Sequence, residues 1–336
     1  MLLLGLISKI FSEQMWEILL KGDEAMELMC PVSRLEDIKL YTQIGVKEIY
    51  VGVDCSMYDM RIVSFTGRTK NLGDNNITVL NNFEELKKLV EVAHKNEMKV
   101  SFTCNVRIIP EKLKDNYIDY VNHAIECGVD SLIVGSIYGL VLLKSYVNIP
   151  IFASTFFYPF NKYFIDFINE FGVKRIILPT ALTLNEIEEF VKYIEYKKYD
   201  IDVEVFCHFG CSNINGRCNM FYKPPSLCRG LYTVKSDKGD IIKNDINILD
   251  SGTDCTICSI RKLKEIGVKS LKIMGRGFPI QLTASLAKCY LETINGIEDK
   301  NFLERKNLVE KYSWWKEAYC NDGRCMYINK KSKYYV

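Results

Sequence analysis

Short apolar runs alternate along the chain with segments in which apolar residues return every three or four positions. The runs predict β-strands at residues 27–30, 48–52, 99–103, 131–135, 150–153, 175–179, 202–207 and 270–274. The segments between them predict amphipathic helices, among them 34–44, 83–96, 116–127, 162–171 and 184–196. One joint recurs, as Ile44-Gly45-Val46, Cys127-Gly128-Val129, Phe171-Gly172-Val173 and Ile266-Gly267-Val268. A glycine just past a helix end takes the left-handed cap conformation, and the apolar residue after it leads into a strand. The repeated helix-to-strand joint predicts a (β/α)8 barrel over residues 26–295, a length near the ~250 residues typical of that fold. A doubly wound open sheet is the competing arrangement. Residues 1–25 then form an N-terminal extension and 296–336 a C-terminal extension outside the barrel.

In such a barrel the chemistry sits where strands end and the following loops begin. That rule places Cys30, Pro31, Asp54, Asn105, Arg107, Ser136, Ser154, Thr155, Thr180, His208, Gly275 and Arg276 on one rim. The insertion 209–258 follows the seventh strand and would cover the same face, while the long polar loop 54–82 after the second strand departs from the repeat.

Composition narrows the classes. The chain has 336 residues, 48% of them hydrophobic, enough for a large core, and its net charge of +2 gives no electrostatic argument for a nucleic-acid or membrane partner. No apolar run reaches the ~18 residues of a membrane span. Residues 1–25 read as an appended amphipathic helix or as a product of start-codon choice; they make a poor signal peptide, with no basic stretch before the apolar run and no small-residue cleavage site after it. Thirteen cysteines without an export signal then imply reduced thiols and a cytoplasmic protein.

Six of those thiols, Cys207, Cys211, Cys218, Cys228, Cys255 and Cys258, fall between residues 204 and 258 among glycines and prolines. So many in one window indicate a metal or iron–sulfur site. Four thiolates complete a [4Fe–4S] cluster. Zinc takes four thiolates as well, and Cys255-Thr256-Ile257-Cys258 is an ordinary half-site for it; a redox pair is a third reading of the same CxxC. Cys207 ends a strand and reads as a core thiol, as do Cys55, Cys104, Cys127 and Cys289 beside apolar elements. Cys320 and Cys325 lie in a turn-like stretch of the tail that reads as a local loop, with a second metal site as the alternative. His94 and His123 fall within helices and read as structural, whereas His208 leads into the cysteine loop and is a candidate acid or base. Arg276 ends the eighth strand, where its planar fork suits a carboxylate or phosphate. Asn105 is a candidate polar site residue; Arg61, Arg68 and Arg107 are weaker candidates on rim loops.

Taken in order, these segments resemble the collagenase-like peptidase family U-32. The resemblance rests on Met29-Cys30-Pro31; on Gly45-Val46-Lys47-Glu48-Ile49-Tyr50-Val51-Gly52; on residues 128–134; on Ala153-Ser154-Thr155; on residues 172–178 and 182–187; and above all on the Glu-Val-Phe-x-His and Gly-Arg-Cys elements of residues 204–218, followed by Ser270 to Arg276. It spans about residues 26–295. Met274 stands where the family motif has glutamate, Phe156 replaces the polar residue common after Ala-Ser-Thr, and the tail 314–327 has no counterpart. The resemblance implies a [4Fe–4S] cluster on Cys211, Cys218, Cys228 and Cys255, with Cys258 in reserve. It further implies one of three roles: an oxygen-independent hydroxylase of an RNA base or small aromatic, with prephenate as the associated oxygen source; a collagenase-like peptidase; or an accessory subunit that binds a cluster beside a paralogous partner. The substrate is then a small molecule or RNA. The residues favour the hydroxylase, because no His-Glu-x-x-His helix and no nucleophile–histidine pair can be read from them.

Overall fold

The structure, a computed structural model, describes residues 26–58, 79–106, 108–209, 231–246, 254–276, 278–296, 313–321 and 325–327. The N-terminal extension, Arg61, Arg68 and Arg107, and Cys211, Cys218 and Cys228 all lie outside the described residues.

Eight parallel strands close on themselves. They are β1 (Glu27–Pro31), β2 (Glu48–Val51), β3 (Lys99–Cys104), β4 (Ser131–Val134), β5 (Ile151–Ala153), β6 (Val173–Ile177), β7 (Asp202–Phe209) and, last in chain order, β11 (Ser270–Ile273). Each pairs with the next, β7 pairs with β11, and β11 pairs with β1. The strands fall where the apolar runs predict them. Helices α1 (Asp37–Ile44), α2 (Phe83–Lys95), α3 (Lys114–Glu126), α4 (Ile137–Leu143), α5 (Phe164–Asn169), α6 (Leu184–Lys197), α7 (Ile260–Ile266) and α8 (Ile280–Asn295) complete the (β/α)8 fold. Their buried stripes, such as Leu86, Leu89, Val90 and Ala93 of α2, and Ile187, Phe190, Val191 and Ile194 of α6, join the outward strand residues in one core. The helix starts are capped as the sequence suggests. Asn82 accepts from the Glu85 amide, and Thr183 with Glu186 forms a reciprocal capping box.

The recurring glycine joints do the job assigned to them. Gly267 ends α7 at φ +102°, and a Cβ there would stand 3.0 Å from a Val191 methyl. Gly267→Ala is therefore expected to lower stability by about 1–2 kcal/mol, the penalty of the left-handed conformation for an L side chain; urea denaturation reads the loss.

Strand alternation sends every second side chain into the barrel. At the end where strands begin, that interior is charged. Arg175 of β6 donates to Glu48 of β2 at 2.7 Å, to Glu204 of β7 at 3.1 Å and to Glu27 of β1 at 2.9 Å. Contacts from the sixth strand to the first and second, which are not its neighbours, can only run through the lumen. Lys272 of β11 pairs with Glu204 at 3.1 Å and lies 4.2 Å from the Tyr50 ring centroid. Burial raises the pKa of Glu48 despite the neighbouring Arg175. Burial works the same way on Glu204, but Lys272 and Arg175 overcome it and hold that carboxyl below its ordinary value. This network plugs one end of the barrel and leaves the other end for chemistry.

Two elements go beyond the barrel. β8 (Tyr232–Lys235) and β9 (Ile241–Ile246) form a separate antiparallel hairpin. The two-residue strand β10 (Asp254–Cys255) pairs antiparallel with the end of β7. This pairing is open to it because β7 runs past β6, whose last partner is Glu204. Among the described residues no helix is long and apolar enough to cross a membrane.

Candidate active site at the barrel mouth

β7 carries His208 beyond the barrel wall. The register against β11 shifts so that Phe206 faces Lys272 and His208 faces Ile273, a bulge at Cys207 of the kind that re-aims side chains beside sites. On its other edge His208 is the register partner of Cys255. The histidine is 2% exposed, and burial pushes its pKa down to about 3, so the ring is neutral at ordinary pH.

Two tyrosines set its tautomer. The Tyr290 hydroxyl donates to the Cys207 carbonyl and accepts the Thr256 amide at 3.2 Å. With its proton committed, it faces His208 Nδ1 at 3.5 Å as an acceptor. Nδ1 therefore carries the ring proton, and Nε2 accepts from the Tyr319 hydroxyl at 3.2 Å.

Tyr319 belongs to the C-terminal tail, which contributes no barrel strand yet packs on the rim. Its helical turn Ser313–Trp315 and the π-helical turn Lys316–Cys320 lie against β7 and β10. Trp315 is 3% exposed and donates from Nε1 to the Cys255 sulfur at 3.5 Å. Cys325 forms a parallel bridge with Cys255, the Met326 amide donates to the Cys255 carbonyl at 2.9 Å, and the Tyr327 hydroxyl reaches the Phe206 carbonyl at 3.4 Å. The sequence placed Cys325 in a local turn; it is instead buried against the cysteine strand. Trp315, Tyr319 and Tyr290 are site residues that sequence reasoning missed. For Trp315 and Tyr319 the signal present was the aromatic density of the tail; Tyr290 lies within α8 and carried none.

Arg276 occupies the mouth from the β11 side. It donates to the Thr103 hydroxyl at 3.0 Å, and its guanidinium carbon lies 5.4 Å from the Tyr50 ring centroid. Burial pulls its pKa down, and the Tyr50 and Tyr120 phenols offset only part of that effect. Among the described residues no carboxylate pairs with it, consistent with methionine rather than glutamate at 274. An arginine stays charged in a protein, and a half-buried charge without a partner is costly. The position thus suits an anionic ligand. Gly52 makes room for it: a Cβ there would stand 2.7 Å from both the Arg276 Nη1 and the Thr103 hydroxyl. At the ends of β3 and β5 the buried Asn105 Oδ1 and Thr155 hydroxyl have no hydrogen-bond partner among the described residues, a condition that buried polar atoms in a native fold seldom show unless a ligand or water meets them.

The remaining candidates take plainer roles. Ser154 and Ser136 accept from the backbone amides of Phe156 and Gly139. Cys30, Cys104 and Cys207 are fully buried, and burial pushes their thiols up. His94 bonds Asp130 at 3.0 Å, and His123 bonds Tyr58 at 2.8 Å.

For a metal, the described part of the thiol set is Cys255 and Cys258. Cys255 is 5% exposed with an N–H aimed at its sulfur, whereas Cys258 is exposed. Among the described residues no three histidine, cysteine, aspartate or glutamate side chains gather as a metal-holding group; Cys211, Cys218 and Cys228 stand in 210–230, outside them. Burial pushes the Cys255 thiol up to about 12, against the hydrogen bond from Trp315. A thiolate there requires a cation beside it, and the N–H donor suits a thiolate acceptor. Cys255 thus fits a ligand to a metal or cluster.

Comparison with known proteins bears on this geometry. The model of peptidase family U32 matches residues 33–331. An uncharacterized protease of Methanocaldococcus jannaschii is 25% identical over 303 residues, covering 85% of this chain and 69% of that protein. The tRNA hydroxylation protein P1 of Bacillus subtilis is 25% identical over 307 residues, covering 85% of this chain and 67% of that one. A collagenase of Porphyromonas gingivalis is 24% identical over 303 residues, covering 83% and 69%.

Proposed function

The chain belongs to peptidase family U32, and from that premise we propose that it is an iron–sulfur enzyme that hydroxylates an RNA base without molecular oxygen. The relatives' names divide between protein cleavage and tRNA hydroxylation, so the choice rests on the site. One observation carries it. The chain has three histidines, and among the described residues none is bonded to a serine, threonine or cysteine side chain: His94 meets Asp130, His123 meets Tyr58, and His208 meets Tyr290 and Tyr319. A serine or cysteine peptidase needs a base within reach of its nucleophile. Among the described residues the mouth offers instead a guanidinium with no carboxylate partner, two polar atoms without a hydrogen bond and a neutral histidine beside a buried thiol.

On this reading Cys211, Cys218, Cys228 and Cys255 hold a [4Fe–4S] cluster, which supplies electron transfer beside the mouth. Zinc is the alternative occupant of the same thiols. Arg276 binds the carboxylate of the oxygen-donating co-substrate, held in place by Thr103 and Tyr50. Asn105 and Thr155 orient the bound molecules. His208 passes a proton through Nε2 by way of the Tyr319 hydroxyl.

Deleting the gene and analysing tRNA and rRNA nucleosides by mass spectrometry tests the proposal. Loss of a hydroxylated pyrimidine, restored by the intact gene, is the expected result. Unchanged nucleosides, together with protein cleavage by the purified chain, would favour a peptidase. In the same assay Gly52→Ala is expected to cut the hydroxylated nucleoside about 10-fold or more, because its new methyl displaces Arg276 and a charge-assisted hydrogen bond contributes about 1.5–3 kcal/mol.

A further inference from the structure

Cys255 receives a hydrogen bond that no barrel element provides. The donor is the indole Nε1–H of Trp315, at 3.5 Å from the sulfur. An indole has one donor, and when buried it normally finds a partner; here that partner is sulfur. A neutral thiol is a weak acceptor, while a thiolate makes the contact charge-assisted and markedly stronger.

The indole is also fixed. Its ring lies edge-on to Tyr290 at 5.7 Å and to His208 at 5.8 Å, and tilted against Tyr319 at 4.9 Å. Tyr290 is anchored by the Cys207 carbonyl and the Thr256 amide, the residue after Cys255. The chain beyond holds Cys255 from its backbone side, through the Cys325 bridge and the Met326 amide. Donor and acceptor are thus clamped by two parts of the same tail.

We propose that Trp315 is a positioning residue for the cluster, and that its N–H raises the reduction potential. The inference rests on the reading of Cys255 as a cluster ligand. Reduction adds negative charge that spreads onto the ligating sulfurs, and a donor aimed at one of them stabilises the reduced state more than the oxidised one. The tail thereby sets how readily the cluster takes up an electron, separately from holding it.

The test uses the full chain purified without oxygen, with iron counting and a potentiometric titration followed by visible absorption and electron paramagnetic resonance. Trp315→Phe is expected to keep its iron and to shift the midpoint potential downward. Tyr319→Phe loses the bond to His208 but keeps the indole donor, and is expected to match the unaltered protein in iron content and midpoint potential, whatever it does to turnover. Should Trp315→Phe shed its cluster, replacing Trp315 with 3-benzothienylalanine keeps the ring shape without the N–H, and the same downward shift is expected. An unchanged potential in the variant that retains the cluster overturns the role of Trp315. An unaltered protein without iron overturns the reading of Cys255 itself, and that result is seen before any variant is compared.

Discussion

Replacing Cys255 with serine is expected to remove the proposed cluster and, with it, the proposed hydroxylation. The residue is held on three sides: by β7 through the His208 register, by the tail strand through Met326, and by the Trp315 indole. Serine fits that space, so the barrel folds. A buried serine hydroxyl, however, stays protonated where a coordinated thiol gives up its proton, and cluster iron is held by thiolates. Loss of a partner that merely orients a ligand already costs about 10–100-fold in metal affinity, and loss of the ligand exceeds that. Cys258→Ser is the paired control. Its side chain is exposed, one turn further on, and the variant is expected to keep iron and colour. Iron content and visible absorption of the two proteins, purified side by side without oxygen, check the difference. Equal iron in both would remove Cys255 from the ligand set.

The second large effect is on stability. Arg175→Met is expected to lower the unfolding free energy by about 3–5 kcal/mol, the range for breaking a buried ion pair from one side. The guanidinium is 6% exposed and bridges two carboxylates that are 3% and 0% exposed, Glu48 and Glu204. Without it Lys272 still neutralises Glu204, but Glu48 is left without a cation in a place where burial already raises its pKa. Glu48 then takes up a proton, which limits the loss. Glu27, at 38% exposed, regains water and adds little. The shift in urea midpoint at constant slope measures the effect, and a change below about 0.5 kcal/mol, the size of an ordinary surface substitution, contradicts the assigned role.

The barrel was legible because its signals are local. A glycine past a helix end and an apolar run after it need no knowledge of the rest of the chain, and residues such as Gly267 and Ser270–Ile273 of β11 announce themselves. The rim position of Arg276 and His208 follows from the same alternation. The plug was not legible. Arg175 reads as one charge interrupting an apolar strand, and its partner Glu48 lies 127 residues away. The tail was not legible for a similar reason. Trp315 and Cys325 lie 60 and 70 residues beyond Cys255 and meet it through a single indole bond and an isolated bridge, neither of which has a sequence period. The β8–β9 hairpin did carry a signal, alternating residues around a Gly239 turn at φ +89°, which the surrounding cysteines obscured. Among the described residues Arg276 has no carboxylate partner, in keeping with Met274 in place of the glutamate in the family motif, a difference visible in the sequence whose consequence appears only once the lumen is built.

On the proposed reading the cysteines around Cys255 hold an iron–sulfur cluster over the mouth of this barrel. Purification of the full chain without oxygen, followed by metal analysis and a visible spectrum, tests it most directly. A brown protein with about four iron atoms per chain, the content of one [4Fe–4S] cluster, is the predicted result; a colourless protein holding one zinc, or no metal at all, would contradict it.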